Sequence, residues 1–242
     1  MLVYGLIPAR SGSKGLPSKN ILKINKHPLM AYAIAYGQKL NLDRIIVSTD
    51  SKKYQNISLE YGAECPYLRS EAASIDTARE EDILLDLENN LPKYNIGLPD
   101  IWVWLKPTNP FRDVKKGIEG INKLINNELI DSVRLVSESD LRLQQINSKG
   151  FLEIITEHWD PNYSKLPRTD FPKVYSPYNQ EIFRHNNWRR YGQKFMGDKI
   201  YPIICHKITG MDVDDLDTFE IIKAIIESNN QPDIVKQHIH LY

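Results

Sequence analysis

The sequence predicts an α/β domain of three layers, with helices on both faces of a parallel sheet. Two observations carry that prediction. Short apolar runs recur through the first half, each followed by a helical pattern of about 10–15 residues, which is the signature of βαβ units. The chain of 242 residues is long enough for one such domain with a sizeable insertion.

The elements follow in order. Leu2–Ile7 is an apolar run closed by Pro8, a buried strand. Ala9–Asn20 carries Gly12, Gly15, Pro17 and several Ser and Asn residues, hence a loop. Pro28 opens a helix running to Leu40, and Arg44–Thr49 is a second buried strand. Asp50 or Ser51 caps the next helix, which reaches Tyr61 and stops at Gly62. Glu64–Leu68 reads as a short strand, Thr77–Leu91 as a helix ended by Pro92, and Ile101–Lys106 as a strand. Val114–Asn126 is a helix and Ser132–Val136 a strand. The alternation then breaks. Glu138–Trp188 is rich in Pro, Asn, Tyr and Lys, with short strands expected at Phe151–Ile155 and Lys173–Tyr175, and reads as an insertion serving as a lid or dimer contact. The pattern resumes with Ile200–His206 and a helix from Leu216 to Ser228, so residues 1–242 form a single domain with 138–188 inserted.

Composition excludes several classes. Net charge is zero, which argues against a nucleic-acid binder. No stretch approaches the roughly 20 apolar residues of a membrane span. The N-terminus has no basic segment leading into an apolar one, so the expectation is a cytoplasmic protein. Cys65 and Cys205 lack zinc-like spacing and read as buried thiols in a reducing compartment. His185 and His206 have no partner at metal-ligand spacing, and His238 and His240 read as edge or surface residues.

Charge is unevenly distributed. Met1–Leu42 contains no Asp or Glu but does contain Arg10, Lys14, Lys19, Lys23, Lys26 and Lys39. Asp212, Asp214, Asp215 and Asp217 crowd together near the other end. A cationic loop directly after the first strand lies where open α/β sheets bind ligands. Its small residues, Ala9, Ser11, Gly12, Ser13 and Gly15, let backbone N–H groups face a phosphate. Arg10 suits bidentate contact, and Lys14 and Lys19 act as mobile charges. The loop is neither a Walker A sequence nor Gly-x-Gly-x-x-Gly. Asp212 and Asp214 share a face of an extended segment, an arrangement suited to Mg²⁺ with phosphate oxygens opposite, while Asp215 and Asp217 suit a helix start.

The run Ile7-Pro8-Ala9-Arg10-Ser11-Gly12-Ser13-Lys14-Gly15-Leu16-Pro17-Ser18-Lys19-Asn20 resembles the signature of the acylneuraminate cytidylyltransferases, the CMP-sialic acid synthetases. Arg69 with Asp76-Thr77-Ala78 and Asp82 resembles the segment in which that family sets an arginine near the nucleotide. Leu105-Lys106-Pro107-Thr108-Asn109-Pro110-Phe111-Arg112 resembles its Leu-Gln-Pro-Thr-Ser-Pro-Leu-Arg motif. Arg168-Thr169-Asp170-Phe171-Pro172 resembles a sugar-binding and dimerisation segment, and Asp212-Val213-Asp214 the Asp-Ile-Asp metal pair. Together these cover Ile7 to about Ala224.

The resemblance implies a Rossmann-like fold of the nucleotide-diphospho-sugar transferase type, an inserted dimerisation element, Mg²⁺ as cofactor, and CTP and an acidic nonulosonic sugar as substrates of a homodimer. It implies that Arg10 and Lys14 stabilise charge on pyrophosphate and that Lys19 addresses the α-phosphate. Ala9, Ser11, Gly12, Ser13, Gly15, Asn20, Arg69 and Thr77 would contact nucleotide. Thr108, Asn109, Arg168 and Asn179 would contact sugar, and Asp212 and Asp214 metal, while Lys106 is open between pairing with a substrate carboxylate, pairing with the triphosphate and standing exposed at the strand end. Lys106 and Asn109 replace the family's Gln and Ser, and Gln180 stands at the glycine of an Asn-Gly-Ala-Ile-Tyr segment. These departures leave the reaction type intact and the sugar open. A related transferase using GTP or another acidic sugar, and a non-catalytic sugar-nucleotide sensor, are the competing readings.

Overall fold

The computed structural model describes residues 1–13, 15–139, 144–154 and 173–241. Its framework is a six-stranded sheet. Strand β1 (Val3–Pro8) lies between β4 (Arg44–Ser48) and β5 (Ile101–Trp104), parallel to both. On the other side β6 (Ser132–Ser139) runs parallel to β10 (Ile200–Cys205). Between the two parallel groups lies β9 (Val174–Arg184), antiparallel to β5 and to β6, so the order is β10-β6-β9-β5-β1-β4. Two small ribbons complete the strands: β2 (Lys23–Ile24) with β3 (His27–Pro28), and β7 (Gln144–Ile146) with β8 (Leu152–Ile154).

The strands are apolar on both sides, and successive side chains enter different layers. Ile7, Val103 and Ile182 pack beneath α1 (Leu29–Lys39), α2 (Lys52–Glu60) and α4 (Val114–Ile125). Their neighbours Leu6, Trp102, Trp104 and Phe183 face α3 (Glu80–Asn90) with Phe195 and Met196. Full burial of such side chains stabilises the fold by about 1.5–3 kcal/mol each. A third cluster, with Phe111, Val213, Phe219 and Ile226, joins the β2–β3 ribbon to α6 (Leu216–Glu227) and α7 (Asp233–His238). No helix among the described residues is long and apolar enough to cross a membrane.

Three expectations change. Glu64–Leu68 is not a strand: Glu64 alone bridges Ile46, and Pro66, without an N–H, cannot extend the ladder. The helix expected from Thr77 starts at Glu80, where the Asp82 carboxylate accepts the Arg79 N–H at 2.8 Å. Among the described residues, the stretch Glu138–Trp188 is not wholly separate from the main sheet. Its last third supplies β9, with Ile182 and Phe183 fully buried, and then α5 (Asn187–Tyr191). Pro177, Asn179 and Gln180 break the apolar pattern that would have marked a core strand. The helix caps follow their chemistry: Asp113 accepts from Lys116 N at 3.0 Å and Asp215 from Thr218 N at 2.8 Å.

Two packing features yield predictions. Helix α4 approaches α1 through Gly117, where a Cβ would overlap the Tyr36 hydroxyl. That hydroxyl is fixed by a 2.7 Å bond to Gln180 Oε1. Gly117→Ala should cost about 1–3 kcal/mol in urea unfolding despite alanine's better helix propensity. The cost should shrink in a Tyr36→Phe background.

His185 is buried, accepts the Trp102 Nε1–H on Nδ1 at 2.9 Å, and has its pKa lowered by burial. A histidine depressed in the folded state takes up its proton on unfolding, so its stability contribution is lost as pH falls below the unfolded value of about 6.5. The urea midpoint should therefore drop between about pH 7.5 and about pH 5.5, and His185→Asn, which keeps an acceptor for Trp102, should flatten that drop.

Candidate functional site

The carboxyl ends of β4, β1 and β5 lie side by side and open into a cleft of about 450 Å³. The loop after β1 contributes Arg10, Ser13, Lys19 and Asn20 to its wall. The connection after β4 contributes Arg69, Ala73 and Asp76, and β5 with its following loop Trp104, Lys106 and Thr108. A crevice beyond the strand ends is the usual ligand position in an open α/β sheet.

The first loop is tied down at several points. Ala9 is fully buried, its N–H donating to Ser48 O at 2.9 Å. Ser11 donates its N–H to Asp50 Oδ1 at 2.7 Å and its hydroxyl to Asp50 Oδ2 at 2.9 Å. Asn20 is buried and donates Nδ2–H to Arg10 O at 3.0 Å, closing the loop on itself. Gly12 faces open space, whereas a Cβ on Gly15 would stand 3.0 Å from the Asp214 carbonyl. A side chain there would crowd the Asp214 carbonyl, so glycine suits this close approach of loop and acidic segment.

The two described loop cations are both paired with carboxylates. Arg10 Nη1 is 2.9 Å from Asp76 Oδ1 and donates to Ser74 O at 3.3 Å. Lys19 Nζ is 3.3 Å from Asp214 Oδ1. Arg69 is buried behind them, bonded to Ser48 Oγ, Ser48 O and Ala73 O at 2.8, 2.5 and 3.4 Å. Burial lowers its pKa to about 10, and Asp50 and Asp86 oppose that fall.

The acidic segment, far along the chain, does not itself line the cleft but meets the loop beside it through Lys19 and Gly15. Val213 is fully buried and donates its N–H to Thr108 O at 2.9 Å, which leaves Asp212 and Asp214 on either side of it. Asp214 is largely exposed, while Asp212 Oδ1 is buried without a hydrogen-bond partner. An orphaned buried carboxylate oxygen beside an exposed carboxylate fits a divalent cation whose remaining ligands are phosphate and water oxygens. Among the described residues no larger cluster of His, Cys, Asp or Glu is gathered for a metal. Asp215 caps α6, as its position at the helix start implied.

Several expected contacts lie elsewhere. Asn109 is fully buried and donates Nδ2–H to Thr209 O and Met211 O at 2.8 and 3.0 Å, so it braces the acidic segment from behind instead of facing sugar. Thr77 lines an adjoining cleft with Trp188 and Gln193, not the one holding Lys19. Gln180 is buried under Tyr36, which explains why a larger residue is accommodated there. Asn179 lies within β9, and Lys14 and Arg168 lie outside the described residues. Cys65 and Cys205 are free and buried, their thiols pushed up to about 11 and about 12 by desolvation. Among the described residues no histidine lines the main cleft.

Sequence reasoning did not give a site role to Asp50, Asp76 or Trp104. Nor did it single out Arg112 beyond its motif. Arg112 is buried and donates Nη2–H to Lys106 O at 2.7 Å, fixing the strand end that carries Lys106. Its pKa is pushed down to about 10 by burial, against the opposing pull of Tyr36 and Asp212.

The comparisons with known proteins agree with this geometry. A family model described as Cytidylyltransferase matches residues 4–150. The N-acylneuraminate cytidylyltransferase of Escherichia coli O18:K1:H7 is 32% identical over 241 residues, covering 98% of this chain and 55% of that protein. The CMP-N,N'-diacetyllegionaminic acid synthase of Legionella pneumophila is 33% identical over 156 residues, 63% of this chain and 66% of that protein. The chain thus spans a little over half the length of the first relative and about two thirds of the second. Among solved structures, a CMP:2-keto-3-deoxy-manno-octonic acid synthetase complexed with CTP superposes with a TM-score of 0.67 at 14% identity, over 93% of this chain and 98% of that one. A 4-diphosphocytidyl-2C-methyl-D-erythritol synthase from Anaerococcus prevotii superposes with a TM-score of 0.64 at 13% identity, over 94% and 99%. These two speak to the fold, a mixed α/β sheet of the nucleotide-diphospho-sugar transferase type. With the family model matched over more than half its length, the chain belongs to the cytidylyltransferase family.

Proposed function

We propose that the protein couples CTP to a nonulosonic acid, giving a CMP-sugar and pyrophosphate. The observation that carries this reading is the meeting of the loop cation Lys19 with Asp214, 3.3 Å apart at the mouth of a cleft also walled by Arg10, Arg69 and Lys106. A triphosphate entering there meets positive charge on three sides and carboxylates that can share a cation with it. The relatives named for sialic and legionaminic acid products support an acidic nine-carbon sugar as acceptor.

In the reaction the anomeric hydroxyl oxygen bonds to the α-phosphorus and gives up its proton to solvent water, the bond from the α-phosphorus to the bridging β-phosphate oxygen breaks, and pyrophosphate leaves in line. Transfer of this kind depends on positioning and on neutralising charge. Lys19 stands for the α-phosphate. Arg10 exchanges Asp76 for the phosphates of the leaving group, with Lys14 in the same role. Arg69 stays as fixed positive charge behind the loop, and Asn20 keeps the loop closed. Asp212 and Asp214 would hold Mg²⁺, which supplies charge neutralisation to the phosphate oxygens. In this reading Lys106, which lines the cleft together with Thr108, pairs with the sugar carboxylate.

The reading includes a homodimer working in the cytoplasm. Its support is the paired ribbon of Ser137–Ser139 with Val174–Ser176, which carries β6 and β9 onward and exposes Glu138 and Ser139. A second copy would dock on that exposed ribbon.

Pyrophosphate release with CTP and a panel of nonulosonic acids, in the presence of Mg²⁺ and with GTP as control, tests the reaction. Turnover with CTP and at least one acid is expected; no turnover with any pair would favour the sugar-nucleotide sensor instead. Lys19→Ala should lower kcat about 10²–10³-fold with the thermal midpoint little changed, as for loss of a donor aimed at developing charge. A second variant separates the substrates: Lys106→Gln should raise the sugar KM more than the nucleotide KM. Equal effects on both would remove Lys106 from the sugar site.

A further inference from the structure

Asp50 stands just beyond the end of β4, in front of α2, in the position of a helix cap. It does not act as one. The capping position belongs to Ser51, which makes no side-chain cap bond, and both Asp50 oxygens are turned the other way, onto Ser11. The contact crosses from one strand end to the next: an N–H at 2.7 Å on Oδ1 and a hydroxyl at 2.9 Å on Oδ2. Bonds to an ionised acceptor are short and about twice as strong as neutral ones. Asp50 is half-buried and does not line the cleft, so it touches the loop and not the space the loop encloses.

A carboxylate so near a polyanion site would oppose binding unless its charge were answered. Here it is answered twice. Ser11 supplies two donors, and the buried Arg69, held by Ser48 and Ala73, lies within its field. Ala9 and Arg10 have ties of their own, but the turn after Ser11 is more open: Gly12 has nothing within 4 Å of a Cβ position, and Ser13 N–H donates back to Ser11 O at 3.1 Å. Whatever fixes Ser11 therefore fixes the turn that follows.

We infer that Asp50 is the positioning residue of the phosphate loop, its two bonds to Ser11 holding the turn from Gly12 onward in the shape that receives the triphosphate. This rests on the nucleotidyl-transfer reading above. It has a corollary for recognition: the Ser11 N–H and hydroxyl are already spent, so the anion is met by Gly12, Ser13 and the loop cations, and not by Ser11.

The test compares Asp50→Ala, Asp50→Asn, Ser11→Ala and the double variant Asp50→Ala/Ser11→Ala in the full chain. Three quantities are measured: amide hydrogen exchange over residues 9–15 without ligand, the dissociation constant of CTP, and steady-state constants for both substrates. For Asp50→Ala, exchange over the loop should rise and the CTP constant should weaken about tenfold, with the sugar KM within about twofold and the melting temperature near that of the parent. Asp50→Asn should recover most of the loss, since its oxygen still accepts the Ser11 N–H and its amide can donate to the hydroxyl. Ser11→Ala should give a smaller defect, and the double variant one no larger than that of Asp50→Ala alone. Unchanged loop exchange, or equal rises in both KM values with a lowered melting temperature, would overturn the inference. If the parent protein binds no nucleotide, the functional reading fails, while loop exchange still decides whether Asp50 orders this turn.

Discussion

The site depends on the hydrogen bond from Val213 N–H to the Thr108 carbonyl. Through it a segment about a hundred residues downstream is fastened to the turn that follows β5. Val213 is fully buried and anchors the segment, with Asp214 exposed on one side of it and Asp212, its Oδ1 buried, on the other. Asn109 reinforces the join with two bonds to Thr209 and Met211 carbonyls. Once the acidic segment is docked, Gly15 can abut the Asp214 carbonyl and Lys19 can reach its carboxylate. Cation and anion are thereby brought together by backbone contacts, with the exposed ion pair itself adding little to stability.

That arrangement explains the division of labour among the arginines. Arg69 and Arg112 are buried and have carbonyl oxygens as partners, so both are struts carrying charge; neither is free to swing toward a substrate. Burial of a guanidinium without such partners would be costly. Arg10 differs, being more exposed and paired with Asp76 across the cleft mouth. It is the cation able to change partners when a better anion arrives.

The first half of this architecture was legible because its strands are short and largely apolar and helical patterns alternate with them, with Gly or Pro marking several of the breaks. The loop after β1 and the acidic pair were legible too, by residue type and spacing. Three things were hidden, each for a physical reason. Strand β9 is interrupted by polar residues, and the burial of Gln180 depends on a partner, Tyr36, on another element. Asn109 carries a side chain as fit to meet a sugar as to brace a backbone, and only the fold decides between them. Asp50 looked like a cap for the helix after it, because a carboxylate before a helix satisfies the local rule equally well. Its true partner, Ser11, lies 39 positions away. Long-range pairing of short polar side chains leaves no periodic trace.

The placement of β9 has a consequence for how the chain is made. It is the antiparallel strand that joins β5 to β6, yet it is nearly the last of the strands in sequence order, with only β10 after it. As the polypeptide leaves the ribosome, β1, β4 and β5 can assemble early, but the outer edge of β5 remains an unpaired, wholly apolar strand of Ile101, Trp102, Val103 and Trp104 until residue 184 is available. Open edges of that kind recruit other chains. Nascent chains halted before β9 should therefore be the sticky species of this protein, and its yield in cells is expected to be set by the delay between β5 and β9 more than by the stability of the finished sheet.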